Sequence, residues 1–158
     1  MNFIKDKSVG DLGEKLVLHL MWRLDINATI VNDVPYYDIL CFLDKQPFTI
    51  EVKHDIYSEK SGNIAIEYFN PKSNKPAGIS ITGANLWAHV TPNEVWMASV
   101  KLLKIFLQNN QPFRTVESGG DNNASIYLYK KSFIMPSIFQ RFDILEKHKA
   151  ISIMKEWL

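Results

Sequence analysis

Asp38, Glu51 and Lys53 are charged residues set into a stretch otherwise built for a core, Tyr36 to Asp55, YYDILCFLDKQPFTIEVKHD. The first apolar, β-favouring run, Tyr36 to Leu43, carries Asp38; the second, Phe48 to Lys53, carries Glu51 and Lys53 on either side of Val52. A charge on a core strand is costly unless it is paired or binds a metal. Two neighbouring carboxylates also repel each other, and a divalent cation removes that repulsion. Oxygen-only donors suit a hard ion such as Mg²⁺ or Mn²⁺, which keeps several waters and takes one or two protein carboxylates. A lysine beside such an ion can hold an attacking water and offset negative charge developing on a phosphate. Hydrolysis of a phosphodiester is the chemistry that fits this set best.

The elements that must position these groups are a hairpin and an upstream helix. Asp44-Lys45-Gln46-Pro47 supplies the turn between the two runs. A loop of two or four residues sets Asp38 opposite Glu51 or opposite Lys53, in both cases on one face of the sheet. Ser8 to Leu24 reads as a helix, capped by Ser8 or Asp11, with Leu12, Leu16, Leu20 and Leu24 recurring every four residues and Val17 and Met21 widening the stripe. Glu14 lies two positions from Leu12 and Leu16 and so projects away from the centre of that stripe. It is either a solvated helix acid beside Lys15 or a member of the site, and His19 is a flank of the packed stripe rather than a ligand.

The spacing Asp38, twelve residues, Glu51-Val52-Lys53, behind a helix bearing Gly13-Glu14, resembles the PD-(D/E)XK nuclease superfamily, which includes type II restriction enzymes, archaeal-type Holliday junction resolvases and phage exonucleases. The resemblance runs from about Val9 to Leu107. Two departures stand out: Pro35 lies three positions before Asp38, where many members have it directly before the aspartate, and Asn85 stands where many relatives carry an acid. The resemblance implies an α/β fold, a central mixed β-sheet flanked by helices with a restriction-endonuclease-like αβββαβ core. It also implies Mg²⁺, or Mn²⁺, held by Asp38, Glu51 and the Val52 carbonyl, with Glu14 on the same ion or a second one. Lys53 would position the attacking water. DNA is the implied partner, cut internally as by a Holliday junction resolvase; a restriction-type or exonuclease activity, or an inactive nucleic-acid-binding module of the same fold, is the alternative. A plain reading of the residues leaves a third course open, in which Asp38, Glu51 and Lys53 form a cross-strand ion pair worth about 1 kcal/mol or less.

Composition bounds these readings. With 158 residues, 46% hydrophobic and 12% aromatic, the chain is expected to form one domain with a sizeable core. No apolar run reaches the ~18 residues of a membrane span, and Met1 to Asp6 lacks the apolar segment of a signal peptide. Cys41 alone supports neither a disulfide framework nor a cysteine-rich zinc site, so the expected compartment is cytoplasmic. A net charge of +1 excludes a protein that coats nucleic acid indiscriminately, and any cationic contact must be local. His54, Lys60, Lys72 and Lys75 are the nucleic-acid-binding candidates around the cleft. Lys5 and Lys7, and Arg141, Lys147, His148 and Lys149, are further basic groups, the last four reading more simply as solvated surface.

Elsewhere, Asn27 to Val31 reads as a strand and Asn32 to Pro35 as a turn, which makes Asp38 rather than Asp33 the candidate acid. Ile56 to Asn63 reads as a loop at the mouth of the site. Ile64 to Phe69 reads as a strand on which Glu67 is either exposed or near the cleft, and Asn70 to Gly78 as a basic loop suited to a phosphate backbone. Thr82 can cap a short helix through Trp87, with Gly83 allowing a close backbone approach. Thr91 to Glu94 fits either a capping box or a type I turn; the turn is preferred, joining strand Trp87 to Val90 to strand Val95 to Ala98, with Ser99 capping a helix to Gln108. Phe113 to Glu117 and Ser125 to Tyr129 read as strands about the loop Ser118 to Asn123. Pro136 to Leu158 reads as mostly helical, closing the core or forming a homodimer contact.

Overall fold

The computed structural model describes residues 3–119 and 124–158. Helix α1 (Phe3–Arg23) leads into β1 (Asn27–Ile30), β2 (Ile39–Leu43) and β3 (Gln46–His54). A short helix α2 (Ser58–Ser61) and strands β4 (Asn63–Asn70) and β5 (Lys75–Pro76) follow, and a 3₁₀ turn at Gly78–Ser80 precedes β6 (Leu86–Val90) and β7 (Val95–Ser99). Then come α3 (Val100–Asn109), β8 (Arg114–Gly119), β9 (Ala124–Lys130), α4 (Lys131–Ile138), β10 (Gln140–Phe142) and α5 (Lys147–Trp157). Six strands form a central sheet in the order β1-β2-β3-β6-β7-β10, antiparallel except for the parallel pair β3–β6. The architecture is α/β with a mixed central sheet flanked by helices, as expected. A second, antiparallel sheet, β5-β4-β9-β8, was not foreseen.

The β2–β3 hairpin turns on Asp44 and Lys45 alone, both left-handed with φ of 49° and 67°. Two consecutive positive φ values match the twist of a two-residue hairpin, which fixes the register. Leu43 opposes Gln46 and Ile39 opposes Ile50, where the pairing ends; Asp38, one residue earlier, bonds to the backbone of Ile50 and Val52 on either side of Glu51. Asp38 itself is not in the strand; β2 begins one residue later.

Period-2 alternation splits β3 between two cores. Phe48, Ile50 and Val52 join Val17, Met21 and Leu24 of the α1 side and Ala150 and Met154 of α5 in one apolar cluster. On the other face Trp87 and Ala98 pack with Ile64 and Ile66 of β4, Tyr129 of β9, Leu103 of α3 and Ile134 of α4. The packed stripe of α1 is rotated from the expected one. Leu12 and Leu16 are 51% and 43% exposed, whereas Gly13, Val17, Leu18, Met21 and Leu24 are buried. Gly13 explains the rotation: a Cβ there would lie 2.7 Å from the His54 Cβ, so the bare backbone is what meets β3. Because α1 begins at Phe3, Ser8 and Asp11 lie inside the helix and not at its cap, and His19 is exposed, 5.4 Å from the Trp22 ring.

Other expectations divide the same way. Thr82 caps no helix; residues 82–85 are irregular and Leu86 to Val90 form a strand buried at every position, which has no alternation to read. The turn at Thr91 to Glu94 holds, with Thr91 N–H donating to the Glu94 carbonyl at 2.9 Å, and Ser99 caps α3 by accepting from Leu102 N–H at 3.5 Å. The segment from Pro136 is mostly helical, as expected, with one interruption: α4 ends at Ile138, β10 pairs with β7, and α5 follows. Phe139 and Phe142 must reach opposite cores, and extended chain between them sends an odd offset to opposite faces. Ala150 and Met154 of α5 close the first core. The mouth loop contains α2, the basic loop contains β5, and residues 120–123 of the expected Ser118 to Asn123 loop lie outside the described residues. Among the described residues no helix is long and apolar enough to cross a membrane.

Candidate active site

The three singled-out side chains meet beside the start of β2. Asp38 is pinned from both ends: its N–H donates to the Ile50 carbonyl at 2.9 Å, and its Oδ2 accepts the Val52 N–H at 2.7 Å. Glu51, 8% exposed, places Oε1 2.6 Å from Lys53 Nζ. Lys53 also lies 5.7 Å from the centre of the Trp87 ring, which holds the aliphatic stem against the second core. Burial alone would lower the Lys53 pKa, but the charge and hydrogen bond of Glu51, then the charges of Asp38 and Glu67, outweigh it and raise it. The amine is therefore a fixed cation. Asp38 is shifted the other way from an ordinary surface acid: burial raises its pKa, opposed by the Val52 N–H and reinforced by the Glu51 charge.

Glu14 belongs to this electrostatic group. The rotation of α1 puts it beside buried Gly13 and one turn before Val17 and Leu18, so it is half-buried on the sheet-facing side rather than projecting away. Its pKa is raised by burial first, then by Asp38 and Asp11, with Lys53 opposing and Glu51 adding to the rise. Val52, expected to lend its carbonyl, is buried in the first core and spends its N–H on Asp38.

Two neighbours of the site, Thr82 and Asp55, were not read as site residues from the sequence, and a third, Glu67, was left between an exposed and a cleft-facing position. Thr82 Oγ1 lies 3.1 Å from the Tyr36 carbonyl and 3.4 Å from Glu51 Oε2. Asp55 continues the alternation of Glu51 and Lys53 along β3 and holds the buried His89, Oδ2 to Nε2 3.2 Å. Its pKa is lowered: burial raises it, but the His89 hydrogen bond and charge and the N–H groups of Tyr57 and Ser58 prevail. Glu67 sits at a register shift in β4 and its charge reaches Lys53. A strand alternation carried two residues past Lys53 would have found Asp55; nothing local marks Thr82, which is joined to the site only by tertiary contacts. The Asn85 side chain ties the start of β6 to β3, its Oδ1 accepting the Thr49 N–H at 2.9 Å.

The basic candidates scatter. His54 Nδ1 is 2.7 Å from the Val9 carbonyl, tying β3 to α1. Lys60 on α2 and Lys72 and Lys75 about the β4–β5 turn are exposed. Of the C-terminal set, Arg141 pairs with Glu94, Lys147 with Asp25 and Lys149 with Glu146, as solvated surface charges do. Burial pushes the Cys41 thiol up to about 12, which leaves it inert.

Among the described residues no three His, Cys, Asp or Glu side chains form a ready-made metal cage. The donor set still fits a hard divalent ion: all candidate donors are oxygens, and the pKa values of Asp38 and Glu14 are raised by burial first and then by the charges of neighbouring acids, Glu51 among them. Such mutual repulsion is what a cation relieves. No known protein family, curated protein or solved structure matches the chain.

Proposed function

We propose that the chain is a metal-dependent deoxyribonuclease, a structure-selective endonuclease of the Holliday junction resolvase kind. The observation that carries this reading is Asp38 held on the backbone either side of Glu51, within reach of its charge, with Lys53 Nζ 2.6 Å from the Glu51 carboxylate. When bound by Asp38, Glu51 and the Val52 carbonyl, with Glu14 at its side, Mg²⁺ or Mn²⁺ would supply a Lewis acid and a more acidic water. The chain's own contributions follow from the contacts already described. Lys53 stays protonated beside Glu51 and offers a point charge to a phosphate oxygen. Asp38 cannot swing away while Val52 N–H holds it. Glu14, with its raised pKa, keeps its proton to a less acidic pH than an ordinary glutamate and releases it as positive charge enters. Exposed Lys60, Lys72 and Lys75 offer contacts to a phosphate backbone that position DNA without reading its sequence.

The test is incubation of the purified chain with supercoiled plasmid, a four-way junction and single-stranded DNA in Mg²⁺, Mn²⁺ or chelator. Cleavage that needs the cation and vanishes in Asp38→Asn supports the reading; cleavage in chelator, or none on any substrate, overturns it. A binding module without catalysis is the second reading, favoured by the fact that Lys53 and Glu51 already satisfy each other. It predicts DNA binding that Lys53→Ala leaves without any cleavage to lose.

A further inference from the structure

We infer that Thr82 is a positioning residue for the Asp38 and Glu51 carboxylates, an inference that rests on the metal-dependent reading above. Its hydroxyl lies between the two chain segments that carry them: 3.1 Å from the carbonyl of Tyr36, two residues before Asp38, and 3.4 Å from Oε2 of Glu51. The Gly83 N–H also donates to the Tyr36 carbonyl, at 3.0 Å, so the approach to Asp38 is clamped by two consecutive residues. Thr82 is itself held, being 6% exposed and accepting the Ala84 N–H at 3.2 Å.

A hydroxyl has one proton and two acceptors here, and the shorter contact is to Tyr36. Glu51 has its other oxygen on Lys53, 2.6 Å away. Oε2 is thus the carboxylate oxygen left with the weaker tie. When positive charge comes to Oε2, the Thr82 O–H can direct its hydrogen bond wholly to the Tyr36 carbonyl without leaving either acceptor bare. Thr82 thereby sets the separation of Asp38 and Glu51 while leaving Oε2 able to bind. It touches no substrate atom in this role and acts through the carboxylates.

The isosteric Thr82→Val removes the hydroxyl, and Thr82→Ser keeps it. Mn²⁺ binding to the full chain is measured by calorimetry, alongside thermal unfolding and the Mn²⁺ dependence of plasmid cleavage. Thr82→Val is expected to weaken Mn²⁺ binding about 10–100-fold, the usual loss when a partner of a ligand is removed, with half-activating Mn²⁺ rising in step. Thr82→Ser returns affinity to within about threefold. Wild-type Mn²⁺ affinity in a folded Thr82→Val overturns the inference and leaves the nuclease reading intact. If Thr82→Val does not fold, Thr82→Ser decides: an affinity loss as large as 10-fold with the hydroxyl present overturns it. A wild-type chain that binds no Mn²⁺ and cuts nothing sinks both.

Discussion

The Asp38 carboxylate and the Val52 amide meet at 2.7 Å across the β2–β3 hairpin, so the acid is oriented by the strand that carries its partner Glu51. Asparagine at 38 can accept the same N–H without adding charge beside Glu51. Asp38→Asn should therefore fold, with a Tm at pH 7 equal to the wild type's or up to about 4 °C higher, equivalent to about 1 kcal/mol. Mn²⁺ affinity should fall at least about tenfold. Calorimetry and metal titration on one preparation check both halves; a Tm drop beyond ~4 °C would make the carboxylate a structural group.

Lys53→Ala strips Glu51 of its counter-ion. Breaking a fully buried pair costs about 3–5 kcal/mol; because 33% of the Lys53 side chain is exposed, the expected loss is about 1–3 kcal/mol. Lys53→Arg should retain most of that stability, since it keeps the charge, yet lose cleavage, since a planar fork does not replace a point charge. Urea melts and cleavage rates on the pair of variants separate the two effects.

Asp55 and Asp38 should tilt the pH dependence of stability in opposite directions. Asp55 titrates below its ordinary 3.8 when folded, so its contribution is complete above that value and disappears as pH falls through the folded pKa. The stability gap between wild type and Asp55→Asn should narrow from pH 4 towards pH 2. Asp38 titrates above its ordinary 3.8 when folded, so the metal-free chain gains from it below that value and loses the gain as pH rises through the folded pKa. The gain of Asp38→Asn over wild type should accordingly grow on going from pH 3 to pH 6. Denaturant melts at stepped pH without metal read both slopes.

Gly13→Ala brings a methyl to 2.7 Å from the His54 Cβ, whereas Gly10→Ala meets nothing within 4 Å. Overpacking should cost about 1–3 kcal/mol at position 13, less up to ~1 kcal/mol regained from helix propensity. The same substitution at position 10 should stabilise by up to ~1 kcal/mol. Gly13→Ala should also weaken Mn²⁺ binding, because α1 must lift Glu14 with it; Mn²⁺ affinity unchanged in a destabilised Gly13→Ala would remove Glu14 from the site.

The hairpin, the β6–β7 turn and the Ser99 cap were legible because each is written in adjacent residues, Asp44 to Pro47, Thr91-Pro92-Asn93-Glu94 and Ser99 before Val100, while the choice between a two-residue and a four-residue hairpin loop was left open until the positive φ of Asp44 and Lys45 settled it. The α1 stripe misled because leucines at four-residue spacing outnumber the small residue that decides which side faces β3. A glycine carries no hydrophobic signal, yet Gly13 makes the closest approach. Trp87 to Val90 was read correctly as a strand, but a strand buried on both faces has no polar alternation to mark its start, and the short helix placed through Trp87 overran it. The second sheet was hidden for another reason: β4 and β9 read as strands, but their pairing reaches from Asn63 to Lys130 and no local pattern encodes it. The site divides likewise, with Asp38, Glu51 and Lys53 readable from one hairpin and Thr82 visible only once β6 is laid beside β3.

The parallel pair β3–β6 is bridged by a connection that contains β4, and β4 finds its main partner, β9, only near the far end of the sequence. Until β9 has been synthesised, the only ladder β4 can form is its short pairing with β5. Completion of the second core is thus coupled to a late, long-range event, and a nascent chain that stops short of β9 would hold the Asp38 hairpin without the wall that Ile64 and Ile66 build with Tyr129 on its far side.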